Sequence, residues 1–439
     1  MERDVLREIP TYRRLLAATQ AVARRHPDLV AITAVGESEA GEPIDMISIG
    51  DGPMSALFVG APHPNEVIGC LVIERLIDRL CNDAAFRREL PYRWHFIKAI
   101  EPDALRLNEG WFSTPGDLAC YFRNYYRPPI DQQAEYLFPF APDDRWDRHP
   151  TAENLSWRTA IKHAQPDFMF SLHNAEFGGA FYLASHVPTG LADELMNLCG
   201  KSGLTINPIG DTALDGGRVA HGVQRFPDMK NFHAGIPRAS IRPGQRTVGN
   251  SSANYARAGG TFSLIAEVPY WDSDRLRDES DSGHTQHDVD IALESWTREV
   301  VLLAERALAL DYSPHNMAAA AIWKTVREHY EHFSAARIAG RRTLDDDRLT
   351  CAEYARLVIG GKFERLGTVG LAQQLALTSL DRPEGLALAD DCDRAMDAQI
   401  DGLIQSDGVY SVPFDRLIGH QLEAGLISMR ALARERTLA

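Results

Sequence analysis

The stretch from Ala56 to Leu80 constrains the fold more than any other part of this chain. A short apolar run, Ala56–Val59, leads through Gly60-Ala-Pro-His-Pro-Asn65 into Glu66–Leu80. There Ile68, Val72, Leu76 and Leu80 recur every fourth residue, while Arg75, Asp78 and Arg79 supply a polar face. That spacing belongs to a helix with one buried side. The pattern predicts a buried strand, a tight loop and a helix, in that order.

The same grammar returns along the chain. Period-two patterns at Ala31–Glu37 and Ile44–Ile49, closed by Gly50-Asp-Gly-Pro53, predict paired strands. Further strands are predicted at Tyr92–Ile100, Asp167–His173, Ala180–Ala184 and Thr261–Val268, with helices over residues 1–30 and at Leu191–Lys201. The expected fold class is α/β, a mixed central β-sheet flanked by helices. Two long irregular stretches, Asn108–Pro150 and Ile206–Ala258, are expected to wall an active site. Beyond Leu310 the patterns at Asn316–Phe333, Cys351–Leu377, Asp390–Ile404 and Pro413–Leu432 are helical, and none reads as a strand. The chain is therefore divided into a catalytic α/β unit, residues 1–311, and a C-terminal helical region, residues 312–439. That region is expected to cap the catalytic unit, to restrict its entrance, or to form an oligomer interface.

Composition removes several functions. The 439 residues are 44% hydrophobic, enough for a large core. Lys and Arg number 46 against 61 Asp and Glu, a net charge of −15. A uniformly acidic chain without a basic stripe repels phosphate backbones, so nucleic acid is excluded as a partner. The amino terminus shows no secretory signal, and no apolar run is long enough to span a membrane. Six scattered cysteines, Cys70, Cys81, Cys120, Cys199, Cys351 and Cys392, form no C-x-x-C pair and fit reduced thiols. A cytoplasmic location with no membrane partner is expected, and a homo-oligomer stays open.

Chemistry concentrates at strand ends. H-x-x-E across a strand-to-helix turn offers two metal ligands at once, but this chain holds three copies: His63/Glu66, His173/Glu176 and His420/Glu423. The first lies in the turn described above. His173 closes the apolar run Asp167-Phe-Met-Phe-Ser-Leu-His, where strand ends commonly present ligands. His420/Glu423, His329/His332 and His284/His287 lie in helical or polar surroundings and are read as ordinary packing or surface residues. Glu267 is the lone acid in the run Thr261–Pro269. A carboxylate there needs a partner or a function, and a general base acting on a metal-bound water is the function that suits it.

His63-Pro-Asn-Glu66, then His173 in Ser171-Leu-His-Asn, then Glu267 in Ala266-Glu-Val-Pro follow an order that resembles the zinc metallocarboxypeptidases of the carboxypeptidase A-like type. The likeness covers about residues 40–275. It implies that His63, Glu66 and His173 bind one zinc ion per chain, with the fourth position open to water. It implies further that Glu267 deprotonates that water and that an Arg steadies the oxyanion. Arg106, in Glu101-Pro-Asp-Ala-Leu-Arg, matches the last role. The segment Tyr121-Phe-Arg-Asn-Tyr-Tyr-Arg resembles the stretch that holds a substrate carboxylate, with Arg123 and Asn124 as its residues and Arg127 as the rival cation. Here Arg123 precedes Asn124, and Cys120 stands where the family commonly has Asp. Tyr255 is the nearest match to the family's mobile Tyr, with Ser252 and Ala253 beside it and Arg238, Arg242 and Arg246 as further pocket residues.

The resemblance implies a zinc-dependent metallocarboxypeptidase. It would hydrolyse the amide next to a free carboxylate in small peptides or amino-acid conjugates, through a zinc-activated water with Glu267 as general base. The alternative is an aspartoacylase or succinylglutamate desuccinylase-like zinc deacylase of N-acyl amino acids. A binding protein without turnover would have no use for Glu267 beside a complete ligand set.

Overall fold

The computed structural model describes residues 8–140, 150–210, 217–227, 249–312, 315–339, 348–379 and 381–438. Its main sheet is mixed and runs in the order β1-β2-β4-β3-β5-β10-β7-β9-β8. These strands are β1 (Val30–Glu37), β2 (Pro43–Ile49), β3 (Met54–Gly60), β4 (Tyr92–Ile97), β5 (Phe168–Leu172), β7 (Phe181–Ala184), β8 (Arg218–Ala220), β9 (Val223–Arg225) and β10 (Phe262–Pro269), while the short β6 (Asn174–Ala175) pairs with β10 off this path. At the centre β3, β5 and β10 are mutually parallel neighbours, with Phe58 opposite Phe170 and Phe170 opposite Leu264. Their carboxyl ends therefore open on one edge of the sheet, which suits ligand binding.

Successive β3 side chains enter different cores, as the pleat requires. Ala56 and Phe58 join the larger cluster, and Leu57 and Val59 the smaller. The helices are α1 (Tyr12–Arg25), α2 (Ile68–Asn82), α3 (Ala84–Glu89), α4 (Pro102–Arg106), α5 (Leu118–Arg123), α6 (Ala152–Ala164), α7 (Leu191–Ser202), α8 (Ser252–Arg257), α9 (Gln286–Leu308), α10 (Met317–Ala339), α11 (Cys351–Leu377), α12 (Pro383–Gln405) and α13 (Phe414–Leu438). Trp157 and Ile161 of α6 pack into the cluster with Leu57 and Val59. The opposite face is covered by α2 and α13. Gly425 permits the close approach of α13, since a Cβ there would stand 2.8 Å from the Phe170 ring.

The irregular stretches hold more structure than their sequence predicts: α5, α8 and the short pair β8 and β9 lie within them. Residues beyond 312 are largely helical, as expected, yet they do not form a separate core. Leu371, Met396, Leu417 and Met429 belong to the same hydrophobic cluster as Phe58 and Phe170. They also contain strands, contrary to the sequence reading. β11 (Trp271–Ser273) pairs with β14 (Val409–Ser411), and β12 (Asp281–Thr285) pairs with β13 (Arg348–Thr350). Three-residue strands are too short to show a period. Among the described residues no helix is long and apolar enough to cross a membrane.

Candidate metal centre

The turn after β3 is tight because Ala61 adopts a left-handed conformation at φ 45°. His63 and Glu66 follow within one turn, closed by the Glu66 N–H donating to the His63 carbonyl at 3.0 Å. The start of α2 has no side-chain cap of its own. Its free N–H groups are met instead by the Tyr270 hydroxyl, which accepts from Val67 at 2.9 Å, and by Asn174 Oδ1, which accepts from Ile68 at 3.1 Å. Gly69 lets α2 rest on β5, since a Cβ there would lie 2.4 Å from Leu172 Cβ. This contact draws the end of β5 up to the turn.

His63, Glu66 and His173 each offer a ligand atom, and these atoms all lie within 4.8 Å of one another. All three residues are buried. Glu66 Oε2 accepts from the Asn174 N–H at 3.0 Å and lies 3.1 Å from His173 Nδ1. Glu267, at the end of β10, brings its Oε1 to 3.7 Å from the same nitrogen.

Two imidazoles and a carboxylate suit zinc, and three protein ligands are the usual set of a catalytic site. His63 Nδ1 is buried with no hydrogen-bond partner, an atom left for a ligand. Burial, with Arg127 and His173 nearby, holds the His63 pKa well below its ordinary value and keeps the ring in its neutral, metal-binding form. Burial alone would lower His173 as well, but Glu66, Glu267 and Glu135 outweigh it and raise that pKa.

Of the cations expected at the site, Arg127 is the one that meets it. Its Nη1 donates to Glu66 Oε1 at 3.0 Å, and although burial opposes it, Glu66 raises the pKa of the guanidinium. Arg123 is engaged elsewhere: it bonds Asp393 at 3.0 Å and Asp397 at 2.6 Å, both on α12. Asn124 folds back on its own helix, donating to the Cys120 carbonyl at 2.9 Å. Arg106 pairs with Glu42 at 2.7 Å and lies over the Tyr12 ring. Tyr255 packs on Phe138, with ring centres 5.1 Å apart, and borders a different hollow with Lys162 and Gln165. Arg238, Arg242 and Arg246 lie outside the described residues.

His420 is a packed residue, bonded to the Tyr182 hydroxyl at 2.7 Å and to Ser202 at 2.9 Å. Two further acids at the site were given no role by the sequence reading. Glu176, in the second H-x-x-E copy, accepts from Asn65 at 2.8 Å and from the Tyr121 hydroxyl at 3.0 Å. Glu135 accepts from the Ser252 hydroxyl at 2.7 Å, and burial raises its pKa to about 7 against the opposing pull of His173. An acid inside the apolar run Ala134–Phe140 was the signal for the second.

A family model described as zinc carboxypeptidase matches residues 15–108. No curated protein matches the sequence. Among solved structures, the chain is similar to carboxypeptidase A from Helicoverpa armigera, at 15% identity over 61% of this chain and 68% of that one, with a TM-score of 0.38. It is also similar to a metallo-carboxypeptidase from Burkholderia cenocepacia, at 15% identity over 60% of each chain and a TM-score of 0.37. A metallo-carboxypeptidase from Pseudomonas aeruginosa matches at 17% identity over 57% of this chain and 58% of that one, with a TM-score of 0.33. The segment matched, which carries His63 and Glu66, is thus similar to that of the zinc carboxypeptidases.

Proposed function

We propose that the protein is a zinc-dependent carboxypeptidase that hydrolyses the amide bond next to a free carboxylate in small peptides or amino-acid conjugates. The observation that carries this reading is the position of Glu267 Oε1, 3.7 Å from His173 Nδ1 at the edge of a buried His-Glu-His cluster. His63, Glu66 and His173 would hold the ion. Zinc bound there supplies a Lewis acid, which polarises a carbonyl and acidifies water.

Glu267 is the only one of these carboxylates outside the ligand set. Its Oε1 takes the proton of the attacking water and returns it to the leaving nitrogen, so one group serves as base and then as acid. Arg127 supplies the fixed positive charge. A guanidinium has five N–H donors in a planar fork, so Arg127 keeps donors for a substrate carboxylate or for the developing oxyanion. Arg106, Arg123, Asn124 and Tyr255 have no part in this reading.

The test is mass spectrometry of the zinc-loaded protein incubated with short peptides in free-acid and amidated forms and with N-acyl amino acids. Loss of one carboxyl-terminal residue from the free acids alone is expected. Cleavage of the acyl conjugates with all peptides untouched would move the protein to the deacylase class.

A further inference from the structure

We infer that the C-terminal helices belong to the candidate site: Thr325 of α10 and Gln374 of α11 are positioning residues that hold the backbone at Arg127 and so aim its guanidinium at Glu66 and at the substrate. The inference deepens the carboxypeptidase reading and rests on it for the reaction, but the positioning it asserts can be measured without turnover.

Arg127 lies in a segment without regular structure. Residues 125–129 belong to neither a helix nor a strand, so their backbone polar groups must find partners elsewhere. Each carbonyl does. Asn108 Nδ2 donates to the Tyr126 carbonyl at 2.8 Å, and its Oδ1 accepts from the Tyr126 N–H at 3.1 Å. Gln133 Nε2 donates to the Pro128 carbonyl at 2.7 Å, and the Gln132 N–H to that of Pro129 at 2.8 Å. The two that remain are met from about 200 residues or more along the chain. Gln374 Nε2 donates to the Tyr125 carbonyl at 2.8 Å, and Thr325 Oγ1 to the Arg127 carbonyl at 3.1 Å. The Ile130 N–H adds a third tie to α10 by donating to Glu328 at 3.3 Å.

Helix formation alone does not produce the Thr325 bond. A threonine inside a helix commonly returns its hydroxyl to the carbonyl four residues back. Here the Ala321 carbonyl stands 3.5 Å from Thr325 Oγ1, farther than that of Arg127. Thr325 is 1% exposed, so solvent does not compete for the hydroxyl, and a buried donor left without an acceptor is costly.

Position matters because Arg127 acts at the end of a long side chain. Its Nη1 reaches Glu66 Oε1 at 3.0 Å, and its Nε reaches Gln133 Oε1 at 3.4 Å. A shift of the backbone carries the guanidinium with it, and a misplacement of about 1 Å costs about 10²-fold in rate. A helical region that merely covered the site would pack on side chains of this segment. These helices take its backbone carbonyls, and so complete the site.

The experiment is a double-mutant cycle on the full metal-free chain, read as urea midpoints. Thr325→Val keeps the side-chain shape and removes the donor. The midpoint shift of Arg127→Ala should shrink in the Thr325→Val background and return with Thr325→Ser, which restores the hydroxyl, whereas the shift of Arg123→Ala should simply add. Gln374→Met repeats the cycle at the Tyr125 carbonyl and serves if Thr325→Val does not fold. In the zinc-loaded protein each of these two variants should lower kcat/KM on free-acid peptides by about tenfold, and Thr325→Ser should recover it. Additive shifts with Arg127→Ala in both cycles, or wild-type kcat/KM in both variants, would overturn the inference alone. Non-additive shifts in a protein that hydrolyses no peptide would defeat the reaction and leave the positioning established.

Discussion

Replacing Arg127 with Ala separates the two candidate cations, Arg123 at the end of α5 and Arg127 in the loop after it. Glu66, with its side chain 3% exposed, is held by Arg127 at 3.0 Å. Removing the guanidinium leaves the buried carboxylate with only the His173 ring, 3.1 Å away, to balance it, a change that costs up to about 3–5 kcal/mol. Arg123 is different, because its partners Asp393 and Asp397 are 46% and 64% exposed. Solvent screens such pairs, and their loss costs about 0–1 kcal/mol. Urea unfolding of the metal-free protein should therefore place Arg127→Ala well below wild type and Arg123→Ala close to it. In a Glu66→Gln background the Arg127→Ala penalty should largely vanish. Turnover should follow the same order. Two charge-assisted hydrogen bonds to a substrate carboxylate, each about 1.5–3 kcal/mol, correspond to a fall in kcat/KM of about 10²–10⁴. Equal losses for the two variants, in stability and in kcat/KM, would refute the placement of Arg127 as the working cation.

Other substitutions test the division of labour. Glu267→Gln should retain zinc by metal analysis and lower kcat by about 10²–10⁴, whereas His63→Ala and His173→Ala should lose the metal; zinc loss in Glu267→Gln would make it a ligand instead. The raised pKa of His173 sets a pH dependence. In the metal-free protein its protonated form contributes stability that is complete below about pH 6.5, and this is lost as pH climbs through the higher folded value. Zinc affinity should rise over the same interval, since the ring must shed its proton to bind metal; affinity falling with rising pH would contradict this. Gln421 of α13 donates its Nε2 to the carbonyls of His173 and Ala266 at 2.6 and 2.9 Å. Gln421→Leu should cost about 1–3 kcal/mol and weaken zinc binding, and wild-type affinity in that variant would show that the strand ends hold themselves.

The candidate ligand set was legible because local sequence creates its setting. An apolar run leading into the turn of His63 and Glu66, and others ending in His173 and Glu267, mark strand ends without knowledge of the sheet. The parallel neighbours β3, β5 and β10 then bring those ends together. Arg127 and Arg123 could not be separated this way. They lie four residues apart on one short segment, and what divides them is α12, which offers Asp393 and Asp397 to Arg123 from some 270 residues away. Arg106 likewise answers to Glu42 on β2, a contact no spacing announces. The shared core of the later helices escaped for a related reason. α13 reads as an ordinary amphipathic helix, and its place on the sheet depends on Gly425 facing Phe170.

Gln421 and Gly425 carry a consequence for biosynthesis. Strands β3, β5 and β10 leave the ribosome long before α13 is translated, yet one of the sheet's buried faces is covered by that helix. Until α13 emerges, the carbonyls of His173 and Ala266 lack their shared donor. A nascent chain thus carries His63, Glu66, His173 and Glu267 while the scaffold that fixes them is incomplete, and on the proposed reading hydrolytic competence would wait until α13 has packed on the sheet.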